Sequence, residues 1–261
     1  MKCKSGKNRR KRNACFFLGI LSLVTVVLCL SVSCNADGRK AQKYEYGVFL
    51  NADRTAVPKL KNYEIVVIDA QYFSKKDIRK LHAGGTKVYS YLNIGSVENF
   101  RPYYKTYEHL AIGDYENWEE EKWVNVADKD WQEFMDTLAG KLKKKGVDGF
   151  FIDNCDVYDY AHKKDIFDGL TVILKKIRAM GKPVVVNGGD IYVTAYQSRY
   201  GSAADIMTGV NQESVWSRID FTTKTFHTQK KRSGSISASI CRHAKRMEWM
   251  FICWNTLQTI N

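Results

Sequence analysis

Short apolar runs alternate with helical patterns along most of the chain. Six of these runs are typical of strands and lie at residues 46–50, 63–70, 87–94, 150–152, 183–187 and 206–210. Strands and helices that alternate at this spacing predict βαβ units around a parallel sheet. The 261 residues are enough for one (β/α)8 TIM barrel, but the sequence after Glu213 does not supply two further strands in good order. We therefore expect an α/β TIM barrel that is incomplete, with strands 1–6 clear and strands 7–8 missing or scrambled.

The segment GVDGFFIDNCDVYDY, residues 146–160, places Asp153 directly after an apolar run that is typical of a strand buried on both faces. In α/β barrels the carboxyl ends of the strands carry the chemistry, because the loops that follow them converge on one open face. The other predicted strands also supply polar residues there, namely Asp69, Tyr91, Asn93, Asn187 and Glu213. Each of these residues alone can simply cap a helix or bond a loop amide. Together they predict a polar cleft.

Asp153 and Glu213 are the best candidates for a catalytic pair, because their strands lie two apart and can face each other across a barrel mouth. Glycoside hydrolysis needs two carboxyl groups, one protonated to release the leaving oxygen and one ionised. Aromatic residues that can stack on sugar rings accompany the pair, namely Tyr72, Tyr104, Tyr158, Tyr160, Tyr192 and Trp216. The sequence contains no glycine-rich phosphate loop, Ser/His/Asp order or metal-ligand spacing, so we expect no cofactor and no metal.

Four segments in this order, YLNIGSVENFR (91–101), GVDGFFIDNCDVYDY (146–160), VVVNGG (184–189) and VNQESVW (210–216), resemble glycoside hydrolase family 114, whose members are endo-α-1,4-polygalactosaminidase-like TIM barrels. The resemblance implies an exported glycosidase that cleaves an amino-sugar, galactosaminogalactan-like polysaccharide. It implies Asp153 and Glu213 as the catalytic pair, and we assign Asp153 as the nucleophile and Glu213 as the acid/base. The candidates for substrate binding are Asp69, Tyr91, Asn93, Glu98, Arg101, Asp156, Tyr158, Asn187 and Trp216.

Residues 1–34 combine a basic start with an apolar run, which is the layout of a bacterial signal peptide. Cys34 follows that run where a lipoprotein leader carries its lipidated cysteine. Lipid anchoring is our preferred interpretation, and secretion and an uncleaved anchor are the alternatives. For the function, the alternative to an enzyme is a non-catalytic carbohydrate-binding surface lipoprotein.

The net charge of +13 is concentrated at the two ends of the chain. Residues 1–34 carry +7 and residues 224–261 carry +6, so residues 35–223 are electrically balanced. Phosphate recognition needs a basic surface, so we expect no nucleic-acid partner. We expect a monomer that meets a membrane only through its leader or lipid anchor. The predicted organisation is a leader (1–34), a linker (35–43), a partial barrel domain (44–231) and an aberrant tail (232–261).

The tail departs from the family's pattern, and the genetic code offers a reason. If the codons for residues 247–256 are read one base earlier, they encode nine residues, five of which are unambiguous. In order, these are Gly, then Met or Val, then Asp, then Val, then Tyr or His, then Leu or Met, then Leu, then Glu, and finally Tyr or His. The string GMDVYLLEY is the pattern that the resemblance requires for strand seven. We therefore predict a one-base slip of the reading frame near Lys230 and Lys231, which makes an inactive, truncated product a further alternative. A genuinely divergent basic tail is the other interpretation.

Overall fold

The structure, a computed structural model, describes residues 43–213, 217–220, 223, 225–228 and 250–253. In this part of the chain the strands are β1 (Tyr44–Phe49), β2 (Tyr63–Ile68), β3 (Lys87–Asn93), β4 (Ser96–Glu98), β5 (Ala111–Asp114), β6 (Glu121–Val124), β7 (Gly149–Asp153), β8 (Val184–Asn187), β9 (Gly209–Gln212), β10 (Ser217–Asp220), β11 (Thr225–Thr228) and β12 (Met250–Cys253). The principal sheet has the order β1-β2-β3-β7-β8-β9-β12, and all its neighbouring strands are parallel. This curled sheet confirms the predicted α/β class and the first six strands of an incomplete barrel.

Helices connect the parallel strands. The longer ones are α1 (Lys75–Ala83), α2 (Lys129–Lys145), α3 (Lys164–Ala179) and α4 (Asp190–Tyr200). Shorter helical turns occupy Arg54–Ala56, Val57–Leu60, Ala70–Tyr72, Tyr104–Tyr107, Glu108–Leu110 and Val157–Ala161. Helix α1 begins with a capping box, because the Ser74 hydroxyl accepts from the Asp77 amide while the Asp77 carboxylate accepts from the Ser74 amide. Among the described residues, no helix combines the length and the apolar character needed to cross a membrane.

Strand β7 is buried on both faces, as its apolar sequence predicts. Phe150 and Ile152 point outward into the large core between the sheet and the helices, where Trp131 of α2 is fully buried. Phe151 points inward and packs with Tyr91 and other residues inside the curl of the sheet. Because successive side chains of a strand alternate between faces, a continuous apolar run fills both cores at once.

The excursion after β3 is more ordered than the sequence indicates. None of the six runs predicted as strands lies within residues 96–122, whereas strands β4, β6 and β5 form an antiparallel sheet in that order. The predicted sixth strand is also shifted, since β9 begins at Gly209 rather than at residue 206. Ile206 and Met207 precede the strand and are buried in the outer core, so the apolar pattern starts before the extended backbone does.

The region after Glu213 holds two features that the sequence did not predict. Strands β10 and β11 form an antiparallel pair. Strand β12 lies parallel to β9 in the position of a seventh barrel strand, with Met250 opposite Gly209 and Cys253 opposite Gln212. In the described residues β1 pairs only with β2, so its other edge carries no strand. Among the described residues, no strand therefore joins β12 to β1.

Candidate active site

Asp153 and Glu213 lie together at the carboxyl ends of the strands, as predicted, and Asn187 joins them. The Asn187 side-chain nitrogen Nδ2 donates to Asp153 Oδ1 at 2.9 Å and to Glu213 Oε1 at 3.0 Å. Because the two oxygens share one donor atom, they lie less than about 6 Å apart. Asn211 Nδ2 donates to Asn187 Oδ1 at 2.6 Å and fixes the amide's orientation. The arrangement is a pair of carboxyl groups held by one amide.

The strand register explains why these three residues meet. Ile152 of β7 lies opposite Val186 of β8, and Asn187 lies opposite Asn211 of β9. Asp153 and Asn187 are therefore the last residues of adjacent parallel strands, and Glu213 follows the end of the next strand. Parallel strands that end level with one another bring their final side chains to one edge of the sheet.

The environment of Asp153 raises its pKa and leaves the carboxyl group mostly ionised at neutral pH. Burial raises the pKa of Asp153 to about 6, hydrogen bonds from Asn187 and Tyr91 oppose the rise, and the nearby Glu213 carboxylate adds to it. The site therefore concentrates negative charge, and a cation or a proton stabilises it. Glu213 itself is exposed, so it is accessible to a leaving group and to water.

Asp156 lies near Asp153 and receives a backbone donor. The Gly189 amide donates to both oxygens of Asp156 at 3.2 Å. Burial, reinforced by the charge of Asp153, raises the pKa of Asp156 to about 7. Gly189 adopts a left-handed φ of 68°, and a Cβ there would lie 2.8 Å from the Cβ of Cys155, so the VVVNGG turn needs glycine at this position.

A buried ion triad closes the side of the cleft near β2. The Arg101 guanidinium bonds Asp69 through one nitrogen and Glu98 through two others, one of them at 2.9 Å, and all three side chains are nearly inaccessible to solvent. Burial raises the pKa of Glu98, although Arg101 opposes the rise. Asp69 also caps the following helical turn by accepting from the Gln71 amide at 3.0 Å. Three of the predicted substrate-binding residues thus bond to one another, with one cation shared between two carboxylates.

Sequence reasoning missed Glu121, a carboxyl group at the centre of a polar cluster. Its Oε2 accepts from Ser96 Oγ at 2.5 Å, from Asn154 Nδ2 at 3.2 Å and from Asn93 Nδ2 at 3.3 Å. Burial is the main cause that raises the pKa of Glu121 to about 7. No local pattern indicates it, because Glu121 lies on β6, outside the predicted barrel strands, and follows the exposed residues Glu119 and Glu120.

A cavity of about 580 Å³ extends from this cluster toward β1 and β2. Its walls carry acidic, aromatic and apolar side chains, namely Leu50, Asn51, Ala52, Asp53, Asp69, Tyr72, Tyr91, Glu98, Phe100, Arg101, Trp118, Glu120 and Glu121. Asp153 and Glu213 do not line it. Tyr91 joins the two regions, because it lines the cavity and its hydroxyl also hydrogen-bonds to Asp153. The volume is sufficient for a sugar-sized ligand.

The predicted aromatic residues divide into cleft and core positions. Tyr72 is half exposed and lines the cavity. Tyr192 was predicted to lie near the cleft, and this is wrong, since it is fully buried against α3 with its hydroxyl 3.0 Å from Thr171 Oγ1. Tyr158 packs edge-on against Phe167 and Tyr192 in the same aromatic cluster, so the structure does not place it with the cavity residues. Trp216 and Cys34 lie outside the described residues.

The fold and the paired carboxyl groups define a class of protein. A curled parallel α/β sheet that carries two carboxyl groups at its carboxyl edge is the arrangement of a TIM-barrel glycoside hydrolase. The model of glycoside hydrolase family GH114 matches residues 31–199, and the chain belongs to this family. The resemblance seen in the sequence is thereby confirmed. No curated protein sequence matches the chain.

Two solved structures share the fold over most of their length. The glycoside hydrolase domain of PelA from Pseudomonas aeruginosa has a TM-score of 0.65 at 14% sequence identity, with 81% of this chain and 82% of that domain covered. Ega3 from Aspergillus fumigatus, in complex with galactosamine, has a TM-score of 0.61 at 18% identity, with 82% of this chain and 77% of that protein covered. At these identities the likeness establishes a common fold.

Proposed function

We propose that the protein is an exported glycosidase that cleaves an amino-sugar polysaccharide within the chain of the polymer. The main observation in support is the pair Asp153 and Glu213, whose carboxyl oxygens both accept a hydrogen bond from the Asn187 side-chain amide. Membership of GH114 supports glycoside hydrolysis as the reaction. The leader at residues 1–34 supports export, with Cys34 as the candidate for lipid anchoring.

The charge of the cleft supports a cationic amino sugar as the substrate. Asp153, Asp156 and Glu121 have raised pKa values because they are partly buried and lie close to other carboxyl groups. An ammonium group on the sugar ring would relieve this repulsion, whereas a neutral hydroxyl or acetamido group would not. Ega3 was solved with galactosamine, which agrees with an amine-bearing ligand.

The proposed mechanism uses the two carboxyl groups in turn. Asp153 attacks the anomeric carbon while Glu213 gives its proton to the leaving glycosidic oxygen, so one C–O bond forms as the other breaks. Glu213 then takes a proton from water, and the resulting hydroxide displaces Asp153 from the sugar. Asp153 suits the nucleophilic role because Asn187 and Tyr91 hold it in place. Glu213 suits proton transfer because it is exposed to solvent.

The test is hydrolysis of partially deacetylated galactosamine polymer by the purified chain, by a variant whose reading frame is restored near Lys231, and by Asp153→Asn in both. We expect oligosaccharide release that Asp153→Asn abolishes. Release that is unaffected by Asp153→Asn would refute the catalytic pair. Polymer binding without any release would favour the alternative, a non-catalytic carbohydrate-binding lipoprotein.

We further propose that full activity requires the restored frame. Strand β12 falls within the same codons that encode GMDVYLLEY one base earlier, and the outer edge of β1 has no strand among the described residues. Within the described part of the chain, Tyr46, Asn211 and Gln212 each bury a polar side-chain atom that has no hydrogen-bond partner. An open edge and unpaired buried polar atoms both cost stability. Sequencing the locus tests this, because an intact frame shared by close relatives would refute the slip.

A further inference from the structure

We propose that Glu121 is the residue that selects an amine-bearing sugar, by bonding its ammonium group in the cavity beside the catalytic pair. This inference rests on the proposed function and names one specificity-determining residue for it. Two observations support it: Glu121 lies on the cavity wall, and the neighbouring buried acids of that wall are already paired with a cation.

The other buried acids of the cavity already have a cation. Asp69 and Glu98 both bond Arg101, so each of them already has a cationic partner within the wall, although the three groups together keep one net negative charge. Glu121 has no Lys, Arg or His within salt-bridge distance among the described residues, and its three donors are the neutral groups of Ser96, Asn93 and Asn154. An incoming ammonium group is therefore the missing partner of this carboxylate.

The geometry of Glu121 leaves part of the carboxyl group for a ligand. All three hydrogen bonds go to one oxygen, Oε2, and none of the bonds that the structure gives involves Oε1. A carboxylate that is fixed by one oxygen can offer the other to a charged donor without losing side-chain freedom on binding. The same bonds tie Glu121 to Asn154, the residue after Asp153, so the bound ammonium would lie near the reacting carbon.

The electrostatic surroundings support this role and make it measurable. Burial is the main cause that raises the pKa of Glu121 to about 7, and the carboxylates that face it, Glu98 of its own small sheet and Asp153 of β7, add to the rise. The phenols of Tyr91 and Tyr115 face the same group. Glu121 is thus largely protonated at pH 6.5, and a bound ammonium group would make it release that proton.

The experiment is calorimetric titration of the full chain with D-galactosamine and with N-acetyl-D-galactosamine at pH 6.5, in two buffers that differ in ionisation enthalpy. We expect galactosamine to bind with proton release, and Glu121→Gln to weaken this binding on the order of 10- to 100-fold and to remove part of the release. Binding of the N-acetylated sugar should change little. Glu119→Gln, an exposed carboxyl group in the same loop, is the matched control and should bind like the parent.

The outcomes separate this inference from the proposed function. If the parent binds galactosamine and Glu121→Gln binds it equally well with equal proton release, the role of Glu121 is refuted and the glycosidase proposal stands. If the frame-restored chain binds neither sugar and releases nothing from the polymer, both are refuted. Thermal unfolding of each variant identifies a folding defect, and in that case Glu121→Asp, which keeps the charge, must retain the proton release for the inference to stand.

Discussion

Asp153 and Glu213 share a single hydrogen-bond donor, the Nδ2 atom of Asn187, at 2.9 and 3.0 Å. One neutral amide thus sets the distance between two groups whose negative charges repel each other. This relationship joins the ends of three successive strands of the barrel and leads directly to the first two predictions.

Asn187→Ala should lower kcat by about 100-fold, because it removes a donor that positions both carboxyl groups. The hydrogen bond from Asn187 also lowers the pKa of Asp153, so its loss should move the acidic limb of the pH profile to higher pH. Steady-state kinetics across pH measure both effects. Asn62→Ala is the control, since Asn62 is exposed and precedes β2 at the opposite end of the sheet. A variant with reduced kcat but an unshifted profile would contradict the proposed contact.

The short separation of the catalytic oxygens predicts retention of anomeric configuration. The oxygens of Asp153 and Glu213 that share Asn187 lie less than about 6 Å apart, closer to the spacing of about 5–5.5 Å in retaining enzymes than to the 6.5–9.5 Å of inverting ones. Proton NMR of the first product formed from the polymer measures the configuration. A product of inverted configuration would rule out attack by Asp153.

The raised pKa of Asp153 predicts a loss of activity in acid. The nucleophile must be ionised, and because its pKa lies at about 6 the ionised fraction falls as the pH drops below that value. We expect kcat/KM to fall roughly tenfold per pH unit below about 5.5. A pH series with the stability of the protein checked at each point provides the measurement. An acidic limb near pH 4 would show that Asp153 does not titrate as the nucleophile.

The Arg101 triad predicts a large effect on stability. Arg101→Met leaves Asp69 and Glu98 buried without a cation, which should lower the free energy of unfolding by about 3–5 kcal/mol at neutral pH. Arg101→Lys keeps the charge but cannot bond both acids with the same planar group. Its free energy of unfolding should therefore lie between those of the parent and of Arg101→Met. Denaturant unfolding measures these differences. Arg79→Met, on the exposed face of α1, should cost little, and an equal loss in both methionine variants would contradict the triad's role.

Local sequence patterns determined the elements of this fold. The apolar run of β7 is buried on both faces, and the capping box of Ser74 and Asp77, which lie three residues apart, begins α1. The acidic and amide residues at the strand ends identified Asp153, Asn187 and Glu213, because strand ends follow directly from the apolar pattern. Parallel topology then brings such ends to one edge without further information.

Only the tertiary structure decided how these residues are paired. Arg101 meets Asp69 across 32 positions of sequence, and Glu121 meets Asn154 across 33, so no local pattern carries either contact. The burial of a side chain depends on helices and strands that are distant in sequence. For this reason the sequence predicts Tyr192 near the cleft, whereas in the structure Tyr192 is buried in the core against α3. The pKa values of Asp153 and Glu121 are likewise set by desolvation and by charges from distant segments. The sequence thus determined which chemical groups the cleft contains, and the packing of distant segments decided which of them remain free to act.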